Sequence, residues 1–214
     1  MSNTNTSNKT KKLVTLALLT AITFFLGLTP LGYIRIGPFS ITILCIPVLI
    51  GVVTEGLGVG LILGGVFGLT SLLQVFMGDP LGLFLFNISP LRTIIMIFIP
   101  RLLVPVTAYF THYLLQKSSK NVIKRSTYVI TSIVGSMTNT FFFLGFLYVL
   151  FLPEAAQVAE AFGTTAQKLM LFLGGVVISN GIPEAIAAAI IVSLVAMAIF
   201  LAFGNKGKNN DSNI

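Results

Sequence analysis

Asn87, Arg92, Asn139 and Asn180 each carry a hydrogen-bonding or charged group within, or at the mouth of, a long apolar run. Polar side chains in such a setting are expensive and normally face a cavity or a partner. An asparagine brings two N–H donors and an acceptor oxygen, which suits the hydroxyl and amide groups of a small molecule. A guanidinium grips a carboxylate through two parallel hydrogen bonds, so Arg92, just after "NISP", is the expected anion contact. The four together describe a recognition site for a small polar anion. The competing reading is that Asn139 and Asn180 join neighbouring helices by hydrogen bonds. Arg101 and Glu184 lie deeper, and because each is costly alone they are expected to form a structural ion pair.

Several other chemistries are excluded. The chain has no GxxxxGK[ST] phosphate loop and no HExxH, and its one histidine, His112, lies beside Tyr113 far from the polar cluster. No Ser/His/Asp constellation can therefore be assembled there. Cys45 has no second cysteine for a disulfide or a cysteine metal site, and nothing calls for a cofactor. The 13 Lys and Arg residues are scattered between apolar stretches instead of forming a face, so nucleic acid is not an expected partner.

The elements that hold these residues follow from composition. With 55% hydrophobic and 9% charged residues and a mean hydropathy of +0.98, the chain has too little polar surface for a soluble globule. It reads as an all-α membrane protein. Charge and Pro/Gly punctuation mark six transmembrane helices, near 13–31, 39–54, 57–77, 91–116, 126–152 and 169–203. The second is short and contains Pro47, which suggests a tilt or kink. Residues 1–12 and 204–214 read as tails around a 13–203 membrane domain, and no cleavable signal peptide is expected. With the N-terminus cytoplasmic, Lys9, Lys11, Lys12, Lys117, Lys120, Lys124, Arg125, Lys206 and Lys208 lie inside, against Arg35 and Lys168 outside. Both termini are thus expected in the cytoplasm.

At 1.5 Å per residue, Asn139 is roughly 20 Å along the fifth helix and Asn180 roughly 17 Å along the sixth, which puts them at similar depth. Glu184 is one turn from Asn180 on the same face. Arg92 and Arg101 are nine residues apart, on nearly opposite faces of the fourth helix if Pro100 and Pro105 leave it regular. The apolar loop "MGDPLGLFLFNISP" either folds back over an outward-facing cavity or lies at the interface, anchored by Phe84 and Phe86. Gly56, Gly60, Gly64 and Gly68 recur every four residues and predict a close helix–helix seam; Ala17 and Ala21 share one face of the first helix.

The stretches "TLALLTAITFFLG", "GYIRIGPFSITILCIPVLIGVVTEGLGVGLILGGVFGLTSLL", "GSMTNTFFFLG" and "NGIPEAIAAAII" resemble the substrate-binding S-components of energy-coupling factor (ECF) transporters over essentially the whole chain. Within that family the "IGPFSITILCIPVLIG" and "TNT" to "NGIPEAI" combination is most similar to pantothenate-specific members. The resemblance implies six helices with a short second one, and a vitamin held in the outer half near Asn87, Arg92, Asn139 and Asn180. It also implies a docking face at Ala17 and Ala21 for a transmembrane coupling (T) subunit, with ATP hydrolysis supplied by two separate ATPase subunits. The aromatics Phe141, Phe142 and Phe143 equally suit stacking on riboflavin or folate, which keeps another vitamin open. A self-contained secondary transporter would show an inverted repeat or an ionisable relay, and no repeat is evident. A membrane scaffold would bind no small molecule.

Overall fold

The computed structural model describes residues 3–36, 39–117 and 121–204. Lys120, Lys206 and Lys208, and the side chains of Arg35, Lys124 and Arg125, used above for orientation, lie outside the described residues. The chain is helical apart from one hairpin: α1 (Asn3–Leu28), β1 (Tyr33–Ile36), β2 (Phe39–Thr42), α2 (Cys45–Glu55), α3 (Leu57–Met77), α4 (Pro80–Ile88), α5 (Pro90–Gln116), α6 (Asn121–Leu150), α7 (Ala155–Ala161), α8 (Leu169–Val176) and α9 (Ile182–Gly204). Short 3-10 turns flank α7, and a π turn, Val177–Gly181, joins α8 to α9.

Five segments are long and apolar enough to cross a membrane: Lys9–Leu28, Leu57–Met77, Pro90–Gln116, Ser126–Leu150 and Ala166–Ile199. The expected second span differs. Its first residues, Phe39–Thr42, pair antiparallel with Tyr33–Ile36, and only Cys45–Glu55, 11 residues, is helical. That length gives about 16 Å, short of the roughly 30 Å hydrocarbon core. Pro47 produces no kink, because it falls in the first turn of α2, where a missing N–H breaks no intrahelical bond. The first helix begins earlier than its expected start near residue 13, at Asn3.

Helix α5 packs on α3 and α6, and α6 packs on α9, so these four helices enclose the interior. The glycine seam works at three of its four positions. A Cβ on Gly64 would sit 2.6 Å from the Arg101 carbonyl oxygen, one on Gly60 would meet Val52 and Pro105, and one on Gly68 would meet Phe98 at 2.8 Å. Gly56 has open space around it and instead turns the chain between α2 and α3 at φ +89°. Helix α5 runs through Pro100 and Pro105 without a break.

Two apolar cores result. One gathers α1, α2, the first half of α3 and residues such as Val104 and Ala188. The other gathers α4, Val75, Ile97, Leu144 and Val176. Polar residues occupy the level between them: Ser71 falls between Phe67 and Val75 on α3, and Arg101 between Ile97 and Val104 on α5.

Candidate functional site

A cavity opens at that polar level. Helix α6 contributes Asn139, Thr140 and Phe143, the π turn contributes Asn180, and α9 contributes Glu184. Helix α5 adds Arg101 and α3 adds Ser71 and Gln74, while Tyr33 and Thr42 of the hairpin and Leu81 and Gly82 of α4 complete the lining. The apolar segment before α5 thus folds over the cavity as a helix, with Pro80 at its first turn, where proline is favoured.

Arg101 is the principal charge. Its side chain is buried, and its guanidinium carbon sits 5.2 Å from the Phe67 ring centroid and 4.7 Å from that of Phe143. Both rings lie within cation–π range of the guanidinium, each contact worth about 0.5–2 kcal/mol. Its Nε and Nη1 are buried without hydrogen-bond partners. Glu184 accepts the Thr42 backbone N–H at 2.6 Å and the Thr140 hydroxyl at 3.5 Å. The ion pair expected between Arg101 and Glu184 therefore does not close as a direct contact among the described residues. The aromatic clamp keeps the guanidinium in place, and donors from β2 and α6 take the carboxylate instead.

Asn139, also buried, has an amide oxygen with no partner. Asn180 is held by the π turn. Pro183 has no N–H and, in a regular helix, its ring would crowd the carbonyl four residues back. The widened turn accommodates this locally, as such turns do at many functional sites. Asn180 and Glu184 are thereby both buried and both on the cavity. Tyr33 and Ser71 hydroxyls lie 2.9 Å apart, and the Gln74 amide donates to the Gly27 carbonyl at 2.7 Å.

Two expected anion-site residues are elsewhere. Arg92 donates to Glu154 at 3.0 Å and to the Leu150 carbonyl at 3.3 Å, tying the start of α5 to the end of α6. Nine helical residues separate it from Arg101, and that half-integral number of turns aims it away from the cavity. Asn87 is exposed on α4, outside the cavity wall. Of the three consecutive phenylalanines only Phe143 reaches the cavity, while Phe141 is 68% exposed. Ala17 and Ala21 are exposed on α1, beside Leu13, Val14 and Leu18. Sequence reasoning missed Tyr33, Ser71 and Gln74. For the last two, polar side chains three apart in an otherwise apolar helix were a usable signal.

The family described as "ECF transporter, substrate-specific component" matches residues 11–196. Pantothenic acid transporter PanT of Lactococcus lactis subsp. cremoris (strain MG1363) is 28% identical over 217 residues, spanning 95% of this chain and 98% of the relative. The chain therefore belongs to the substrate-specific components of ECF transporters, multi-pass proteins of the prokaryotic cell membrane.

Proposed function

We propose that this chain is the substrate-capturing subunit of an ECF-type importer and that its substrate is pantothenate. The observation that carries the reading is the buried Arg101 guanidinium, with two unpartnered N–H groups, on one cavity with the unpartnered Asn139 amide oxygen. A carboxylate satisfies Arg101 through charge-assisted hydrogen bonds, and an amide N–H or hydroxyl satisfies Asn139. Asn180, Tyr33 and Ser71 offer further hydroxyl and amide partners. The likeness to a pantothenic acid transporter supports the same chemistry. Arg101 takes the anion-binding role that the sequence suggested for Arg92, and Asn87 has none. A planar riboflavin or folate ring loses its support, because the one cavity-facing phenylalanine of the three already makes a cation–π contact with Arg101.

The chain crosses the membrane six times with both termini cytoplasmic, the hairpin and α2 together making the short second crossing. It depends on a T subunit, docked at Ala17 and Ala21, and on two ATPase subunits, because it has no phosphate loop of its own. The test is equilibrium binding of radiolabelled pantothenate to the purified chain in detergent, with riboflavin and folate as competitors. Saturable, equimolar binding that neither competitor displaces is the expected result. No saturable binding by a folded, monodisperse sample, or displacement by riboflavin, would overturn the assignment.

A further inference from the structure

Glu184 is an acidic group in a cavity whose proposed ligand is an anion, and that apparent conflict is informative. Glu184 is 6% exposed, and its carboxylate accepts hydrogen bonds from the Thr42 N–H and the Thr140 hydroxyl. A carboxylate has about four acceptor positions, so it can take further donors. Arg101 does not close on it and instead makes cation–π contacts with Phe67 and Phe143. The cavity is thus polarised, with a guanidinium and a carboxylate on one wall system that remain separately available.

Resting on the pantothenate reading, we infer that Glu184 is a specificity-determining residue: it accepts a hydrogen bond from the ligand's terminal hydroxyl and rejects ligands that carry negative charge at that end. The substrate class is then an acid with one carboxylate at its Arg101 end and a neutral hydroxyl donor at its Glu184 end. A phosphate ester of the same hydroxyl brings acceptor oxygens and negative charge to a buried carboxylate. Like charges juxtaposed in a desolvated site repel, and the donor that Glu184 needs is removed. The importer would accordingly take up the free acid and exclude its phosphorylated form.

The experiment compares three ligands on the purified full chain: pantothenate, pantothenate phosphorylated on the terminal hydroxyl, and the analogue in which that hydroxyl is replaced by hydrogen. The wild-type chain should bind the phosphate ester at least about 100-fold, and the deoxy analogue about 10-fold, more weakly than pantothenate. Glu184→Gln, which keeps the shape and an acceptor for Thr42, should shrink the phosphate penalty at least about 10-fold relative to pantothenate. Should that variant not fold, the two wild-type ratios decide alone. Equal wild-type affinities for the three ligands, or a phosphate penalty unchanged in Glu184→Gln, would overturn the inference while leaving pantothenate binding intact. Failure of the folded chain to bind pantothenate at all would remove the underlying reading and this one with it.

Discussion

At the residue scale the two arginines of α5 are the informative pair. Arg101→Lys should weaken pantothenate binding by roughly 10–100-fold, because an ammonium cannot supply the flat fork that two aromatic rings hold in place. Arg92→Ala should leave affinity within about threefold of wild type and lower stability by less than about 1 kcal/mol, as expected for a pair with partial solvent exposure. Titration calorimetry with thermal unfolding of each variant checks both statements. Helical rise alone brought Asn139 and Asn180 to similar depth, with Glu184 one turn from Asn180 on the same face. What the sequence could not supply was the choice between two cations on opposite faces of one helix. That choice depends on the distant Glu154, which takes Arg92, and on Phe67 and Phe143, which clamp Arg101.

The elements work through close approach and one local irregularity. At Gly64 an added methyl would meet the Arg101 backbone oxygen, and backbone cannot yield as a side-chain tip can. Gly64→Ala should therefore push α3 from α5, destabilise the chain by about 1–3 kcal/mol and weaken ligand binding together with it, as read by thermal unfolding and titration. Pro183→Ala restores a backbone N–H just after the π turn and permits a regular helix through this region. The expected outcome is a folded chain whose Asn180 has rotated off the cavity, with binding lost and thermal stability retained or raised. Spacing of four residues revealed the glycine seam, and the long apolar runs revealed five helices. The hairpin at Tyr33–Thr42 was not legible, since "YIRI" and "FSIT" are short, apolar and contiguous with α2, and only their mutual pairing separates them from the helix. The π turn was equally hidden, although a proline four residues after Ser179 was its one local cause.

On the scale of the whole molecule, the proposed ligand site and the proposed docking face fall on different surfaces. The cavity is enclosed by α3, α5, α6 and α9, whereas Ala17 and Ala21 lie on the exposed side of α1. Replacing both alanines by leucine should leave ligand affinity of the isolated chain unchanged and abolish ATP-driven uptake by the assembled importer, measured in vesicles loaded with ATP. Ligand capture itself rests on the proposed contact between a ligand carboxylate and Arg101. It is tested most directly by measuring the affinities of pantothenate and of the alcohol that replaces its carboxylate, on the wild-type chain and on Arg101→Ala. The wild type should prefer the acid by about 100-fold, and the variant should bind both equally weakly, because the favoured charge and its partner are lost together. An equal preference in the wild type, or a preference for the acid that survives Arg101→Ala, would contradict it.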